Sequence, residues 1–183
     1  VDSTEIDFET SIMEHLASKK LPFQIPVPIS AQDGRKKIAL SDAKGSERWV
    51  RLQKWVPGRL LAEVNPHTED LLRSWGASCG HFAKALQDFD HPAAHRFYKW
   101  NPSETLASKE YQAYFQTGEQ QELADYFWNL FEKKAQPQLS KLRKSVNYND
   151  AHEHNILVDV DLKNPAISGV VAFGDALYCE TIN

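Results

Sequence analysis

Long apolar runs are missing from this chain. No stretch approaches the roughly 20 consecutive apolar residues that a membrane-spanning helix needs, so no membrane partner is expected. Cysteine is scarce as well. Cys79 and Cys179 lie far apart and form neither a disulfide framework nor a metal-type cluster. No serine, threonine or cysteine sits in a nucleophile motif. A strong charge balance is lacking too. Net charge is −4, and the short basic runs Lys19-Lys20 and Arg35-Lys36-Lys37 read as solvated faces, so nucleic acid is not an expected partner. Repeats and low-complexity segments are absent. The polar start Val1-Asp2-Ser3-Thr4-Glu5 carries no apolar leader, which makes a reduced, cytoplasmic setting the expectation.

What remains is an ordinary globular composition. Hydrophobic residues make up 42% and aromatic residues 11% of 183, enough for one substantial domain or two small lobes. Both ends look cut, and a fragment of a longer polypeptide is expected. Residues 4 to 19 carry Phe8, Ile12, Met13 and Leu16 at helical spacing. Three prolines make Leu21 to Pro28 an extended connection. Lys36 to Leu40 and Arg48 to Val56 read as two strands around the turn Lys44-Gly45-Ser46, and Pro57-Gly58 ends the second. Beyond Pro66 the pattern turns helical, with an apolar stripe through Leu72, Trp75, Gly76, Cys79, Phe82, Ala83 and Leu86. Gly76 and Gly80 there would admit a close neighbour. A second helix is expected over 119–143, with Leu123, Tyr126, Phe127, Leu130 and Phe131 as a core face and Pro137 as a break or kink. Strands return at 146–148, 155–160 and 167–173. The fold class is therefore α+β. A mixed part over residues 1–57 precedes a mainly helical part over 58–183, and a nucleotide would fit the cleft between two such lobes.

Residues 146 to 159 carry the chemistry: Val-Asn-Tyr-Asn-Asp-Ala-His-Glu-His-Asn-Ile-Leu-Val-Asp. Asp150 stands five residues before Asn155, and an aliphatic run follows at once. Kinase-type phosphotransferases use this spacing so that one short loop turns an acid and an amide onto one phosphoryl group. A structural turn, with both side chains satisfying their own backbone, is the plain alternative for the two residues alone. His152 and His154 open a rival reading. In a strand they would share a face, and with Asp150 they would make the start of a metal-dependent hydrolase site. His15, His67, His81, His91 and His95 supply no compact second half.

Together these residues resemble the aminoglycoside phosphotransferase and choline kinase superfamily, small-molecule kinases with a protein-kinase-like fold of two lobes. The resemblance is strongest to the hydroxylysine-kinase-like branch. It rests on Arg51-Leu52-Gln53-Lys54-Trp55-Val56-Pro57-Gly58, Phe89-Asp90-His91-Pro92-Ala93, Trp100-Asn101 and the loop. It implies that Asp150 handles the acceptor hydroxyl, that Asn155 binds Mg²⁺, and that the backbone of Gln53, Lys54, Trp55 and Val56 forms a hinge against the adenine of ATP or GTP. It implies a small amine- or amino-acid-like substrate, and a fused aminotransferase domain as a possible companion in a full chain. Glu9 is implied as the helix glutamate that pairs with a phosphate-binding lysine. Without that lysine in the chain it is expected to be an exposed helix charge. Tyr148 stands where the family usually has His, and its ring can pack under the loop. Trp100-Asn101 is open to a binding-pocket reading and a packing reading.

Two departures stand out. The family places a metal-binding Asp in an Asp-Phe-Gly-Asp segment after an apolar strand; here the segment is Ala172-Phe173-Gly174-Asp175. Ala172 has no ligand atom, and Asp175 is the nearest carboxylate to replace it. The glycine-rich loop and lysine strand that should precede Glu9, and the helical part that should follow the metal segment, have no counterpart here. The two lobes are thus expected to be incomplete, the first in front and the second behind. A kinase is the expected function, and a non-catalytic pseudokinase-like binding domain is the alternative because of Ala172. The open edge of the 36–56 hairpin predicts instability or self-association.

Overall fold

The computed structural model describes residues 3–161, 163 and 165–182; Val1 and Asp2, named above, lie outside the described residues. Helix α1 (Ser3–Ala17) buries Phe8, Ile12, Met13 and Leu16, the stripe read from the sequence. Its core face packs in one cluster with Phe23, Leu61, Phe82, Tyr148, Ile156 and Phe173. The proline-rich connection leads to β1 (Pro28–Ile29). The hairpin β2 (Ile38–Ser41) and β3 (Glu47–Val50) follows, and then β4 (Leu52–Gln53) pairs back antiparallel with β1. Asp42 shapes the hairpin turn, since its Oδ1 accepts from the N–H groups of Lys44 and Ser46, both at 2.9 Å.

After Pro57-Gly58 the chain forms β5 (Arg59–Leu60) and a 3₁₀ turn, then α2 (Glu69–Ala85). Thr68 caps α2 by accepting from Leu71 N–H, and Glu69 and Asp70 favour its positive start. The buried face of α2 is Leu71, Ser78, Phe82 and Ala85, one position round from part of the expected stripe. Leu72, Gly76, Cys79 and Gly80 are exposed, and a Cβ at Gly76 or Gly80 would meet nothing within 4 Å. The expected close neighbour at these glycines is therefore not found among the described residues.

Residues 102–114 form a kinked 3₁₀ segment before α3 (Gly118–Leu130). Thr117 caps α3 by accepting from Gln120 N–H, while the Gln120 side chain accepts from Gln116 N–H. The helix widens to a π-helical turn at Phe131–Ala135 and ends with α4 (Gln136–Leu139), four residues short of the expected 143. Pro137 explains the widening, because it lacks an N–H and its ring crowds the carbonyl one turn earlier. The expected core face of α3 is a correction. Leu123, Tyr126 and Phe127 are 60%, 61% and 55% exposed, and Trp128, at 7%, is the side chain that packs inward.

The remaining strands build the site. β6 (Lys144–Asn147) pairs antiparallel with β9 (Leu177–Glu180), a closing strand that the sequence reading placed beyond the last element. β7 (Ile156–Val158) lies between β5 and β8 (Ile167–Val170). Gln24 bridges to Gly169 in parallel and so ties the proline-rich connection to β8. Gly169 is required there: a Cβ would stand 2.4 Å from Val56 Cγ1. The segment after β4 therefore rests directly on the β7–β8 sheet.

Candidate active site

The loop between β6 and β7 is held from several sides. Asn149 takes a positive φ of 65°, a conformation that Asn tolerates, and this turns the chain out of β6. Trp75 Nε1 donates to Ala151 O at 3.0 Å, so α2 supports the loop from below. Ala62 N–H donates to Glu153 O at 3.1 Å, and Asn155 N–H closes a turn on His152 O at 3.0 Å. The Tyr148 ring stacks on Phe82 and meets Phe173 edge-on, with centroids at 5.1 and 5.2 Å. Its hydroxyl donates to Val171 O. The aromatic ring expected to pack under the loop does so.

The expected pair comes together. Asn155 Nδ2 donates to Asp150 Oδ2 at 2.5 Å and to Asp150 O at 3.1 Å. Asp150 Oδ1 faces His152 Nε2 at 3.5 Å. Val171 N–H donates to Asn155 O at 2.9 Å, which brings the segment carrying Ala172 alongside the loop. Burial pushes the Asp150 carboxyl above its ordinary value, and the negative charge of Asp175 adds to the rise. Asp175 is thus an electrostatic neighbour of Asp150. It is also fixed: Tyr98 OH donates to its Oδ1, and Asn149 Nδ2 donates to its backbone oxygen at 3.3 Å. Burial and the Asp175 carboxylate push the Tyr98 hydroxyl up to about 12. Arg96 secures the same segment by donating to Gly174 O at 2.8 Å, while its guanidinium lies over the rings of Phe8 and Tyr98.

Glu9 corrects the sequence reading. It is buried on α1 and accepts from Arg51 Nη2, so it is not an exposed helix charge. A carboxylate out of water needs a partner, and Arg51, just past β3, reaches it. Arg51 Nη1 is buried with no hydrogen-bond partner among the described residues. Of the hinge residues, Lys54 N–H is taken by Val27 O at 2.8 Å, Gln53 Nε2 lies 3.3 Å from Met13 Sδ, Val56 is buried, and Trp55 is 84% exposed. Asn101 serves packing: it is buried and caps the 3₁₀ segment by accepting from Ser103 N–H at 3.1 Å, while Trp100 points to solvent. His152 and His154 lie on a turn and not a strand, with ring planes tilted by 50°. The shared strand face expected for a hydrolase is therefore not formed.

At position 172 the cation site of the kind the loop resembles lacks its ligand. The Asn155 side-chain oxygen is a usable donor and Ala172 offers none, while Asp175, whose Oδ1 accepts from Tyr98, keeps its carboxylate beside Asp150. Ala172 nevertheless has a φ of 62°, a left-handed conformation that suits Asp, Asn or Gly better than Ala. Tyr98, Arg96 and Arg51 are the site residues that sequence reasoning missed. Arg51 stood in a quoted motif without a role. Tyr98 and Arg96 carry no spacing signal, because long-range packing alone joins them to the 173–175 segment.

Comparison with known proteins gives the family. The profile of the phosphotransferase enzyme family matches residues 2–179. Hydroxylysine kinase of Mus musculus is 27% identical over 151 residues, covering 77% of this chain and 40% of that protein. Hydroxylysine kinase of Xenopus laevis is 29% identical over 187 residues, covering 94% and 49%. The chain thus spans about half or less of the length of these relatives. Among solved structures, a microcompartment-associated aminopropanol kinase superposes with a TM-score of 0.73 at 20% identity, over 99% of this chain and 56% of that one. An amicoumacin kinase in complex with AMP-PNP and Ca²⁺ gives 0.70 at 20% identity, over 99% and 51%. These likenesses show a mixed helix-and-strand fold of the protein-kinase-like type, about half of which this chain covers. With the family profile spanning nearly its whole length, the chain belongs to the phosphotransferase enzyme family.

Proposed function

We propose that this chain is part of an ATP-dependent kinase that phosphorylates a hydroxyl of a small amine- or amino-acid-like metabolite. The observation that carries this reading is the clamp of Asp150 by Asn155 on a loop braced against the Ala172–Asp175 segment. In the proposed reaction Asp150 orients the acceptor hydroxyl and receives its proton. The hydroxyl oxygen bonds to the γ-phosphorus, the bond to the β–γ bridging oxygen breaks, and the nucleoside diphosphate leaves. The raised affinity of Asp150 for a proton suits a base that must hold one briefly. The hinge from Gln53 to Val56 is the proposed seat of the base, for ATP or GTP. The hydroxylysine and aminopropanol kinases named above support a hydroxylated amine as acceptor. A cytoplasmic setting is part of the same reading.

Ala172 favours a second reading, a domain that binds nucleotide or metabolite without transfer. One pair of variants separates the two. Nucleotide binding and phosphate transfer to hydroxylysine or aminopropanol are measured with Mg²⁺ for the parent chain and for Ala172→Asp. Under the kinase reading Ala172→Asp creates or raises transfer, and adding Asp150→Asn lowers it about 10²- to 10⁴-fold. Binding without transfer in both proteins supports the second reading.

A further inference from the structure

We propose that the turn between Asp150 and Asn155 is a binding site for a borderline transition-metal ion such as Zn²⁺, built from His152, Glu153 and His154. One donor atom from each of these three exposed side chains lies within 4.8 Å of the other two. Donors bound at about 2.0–2.2 Å to one ion stand about 3–3.5 Å apart. Small side-chain rotations at three solvent-facing residues close that gap. Two neighbours are already near: Glu153 Oε1 lies 3.9 Å from His154 Nδ1, and the two imidazole centroids are 5.6 Å apart.

The backbone that presents these donors is fixed before any ion arrives. Glu153 O is held by Ala62 N–H at 3.1 Å, and His152 O by Asn155 N–H at 3.0 Å. Binding therefore orders side chains only, which keeps its entropic cost low. Two imidazoles and one carboxylate are a donor set for Zn²⁺, Ni²⁺ or Cu²⁺. Mg²⁺ prefers oxygen ligands and keeps its waters, so it does not compete here. The remaining positions are open to water, as expected for a site on an exposed turn.

One of two present contacts must yield, according to which ring nitrogen of His152 takes the ion. His152 Nδ1 accepts from His154 N–H at 3.2 Å, and His152 Nε2 faces Asp150 Oδ1 at 3.5 Å. An ion on Nε2 replaces the contact with Asp150, and an ion on Nδ1 replaces the His154 N–H contact and leaves Nε2 facing Asp150. The site is thus coupled through His152 to the loop that carries the proposed base.

The test is a calorimetric titration of the 183-residue chain with ZnCl₂ in the presence of excess Mg²⁺, repeated with Co²⁺ and followed by visible absorption. The expected result is one ion per chain with micromolar affinity. His154→Ala and Glu153→Gln should each weaken binding at least about tenfold, and His152→Ala/His154→Ala should remove it. Thermal unfolding without metal establishes that each variant is folded. Absent Zn²⁺ binding, or binding that the folded double variant leaves unchanged, overturns the proposal. So does competition by millimolar Mg²⁺. Because the readout is ion binding, the result does not depend on whether the chain is an active kinase.

Discussion

Asp150 and Ala172 are both in states that their own side chains do not prefer. For Asp150 the cause is electrostatic. Burial and Asp175 raise its carboxyl above the ordinary 3.8, so the folded chain retains a proton that the unfolded chain has released. Stability therefore falls as pH climbs from that ordinary value through the raised folded value, and stays reduced above it. Asp150→Asn removes this loss. It is expected to be more stable than the parent at pH 7 and similar to it in acid, as read by urea unfolding. A less stable variant at pH 7 would count against the electrostatic assignment. For Ala172 the cause is conformational. With φ at 62°, Ala172→Gly should stabilise the chain by about 1 kcal/mol, measured in the same way. The Asp150–Asn155 spacing was legible because a loop of fixed length fixes the geometry of its two ends. The Glu9–Arg51 pair was not, since residues 42 apart in sequence meet only through folding.

At the scale of elements, β6 and β9 are joined by charge as well as by their ladder. Glu180 is buried on β9, where it accepts from Ser103 Oγ and Lys144 Nζ, the latter at 2.9 Å. Burial, the largest single influence, would raise its carboxyl, but the hydrogen bonds from Ser103, Lys144 and its own backbone N–H, with the Lys144 charge, together hold it below the ordinary 4.5. The sign is thus opposite to that of Asp150. The contribution is present above 4.5 and is lost as pH falls through the lowered value. Glu180→Gln should lose stability at neutral pH and show a flatter acid limb in unfolding curves between pH 3 and 6. An unchanged acid limb would remove Glu180 from the account. Helix ends are a second lever: Thr117→Ala leaves an unsatisfied N–H at the start of α3 and should cost about 1 kcal/mol. The elements themselves were largely readable. α1, the β2–β3 hairpin and α2 followed from period and turn residues. The buried side of α3 was not readable, because a stripe shows which residues can share a face and not whether another element covers it.

For the whole molecule, that uncovered face matters most. Leu123, Tyr126, Phe127 and Leu130 stand exposed on α3 beside Tyr111, Tyr114 and Phe115, and Ile29, Leu40, Val50 and Leu52 stand exposed on β1 to β4. Apolar surface of this extent drives association in water. The chain alone should self-associate, with a sedimentation coefficient that rises over the micromolar range. Leu123→Glu/Phe127→Glu should reduce that rise without unfolding the protein. A concentration-independent monomer would show that these faces are tolerated singly. The exposed hinge indole has a practical reach of its own. Trp55 is 84% exposed just past β4, while Trp128 is buried on α3. The native emission of this chain therefore includes a water-facing indole in the proposed nucleotide cleft. A nucleotide settling there would quench or blue-shift that emission, and Trp55→Phe would erase the change. The chain thus carries its own optical probe of occupancy, with no dye and no turnover needed.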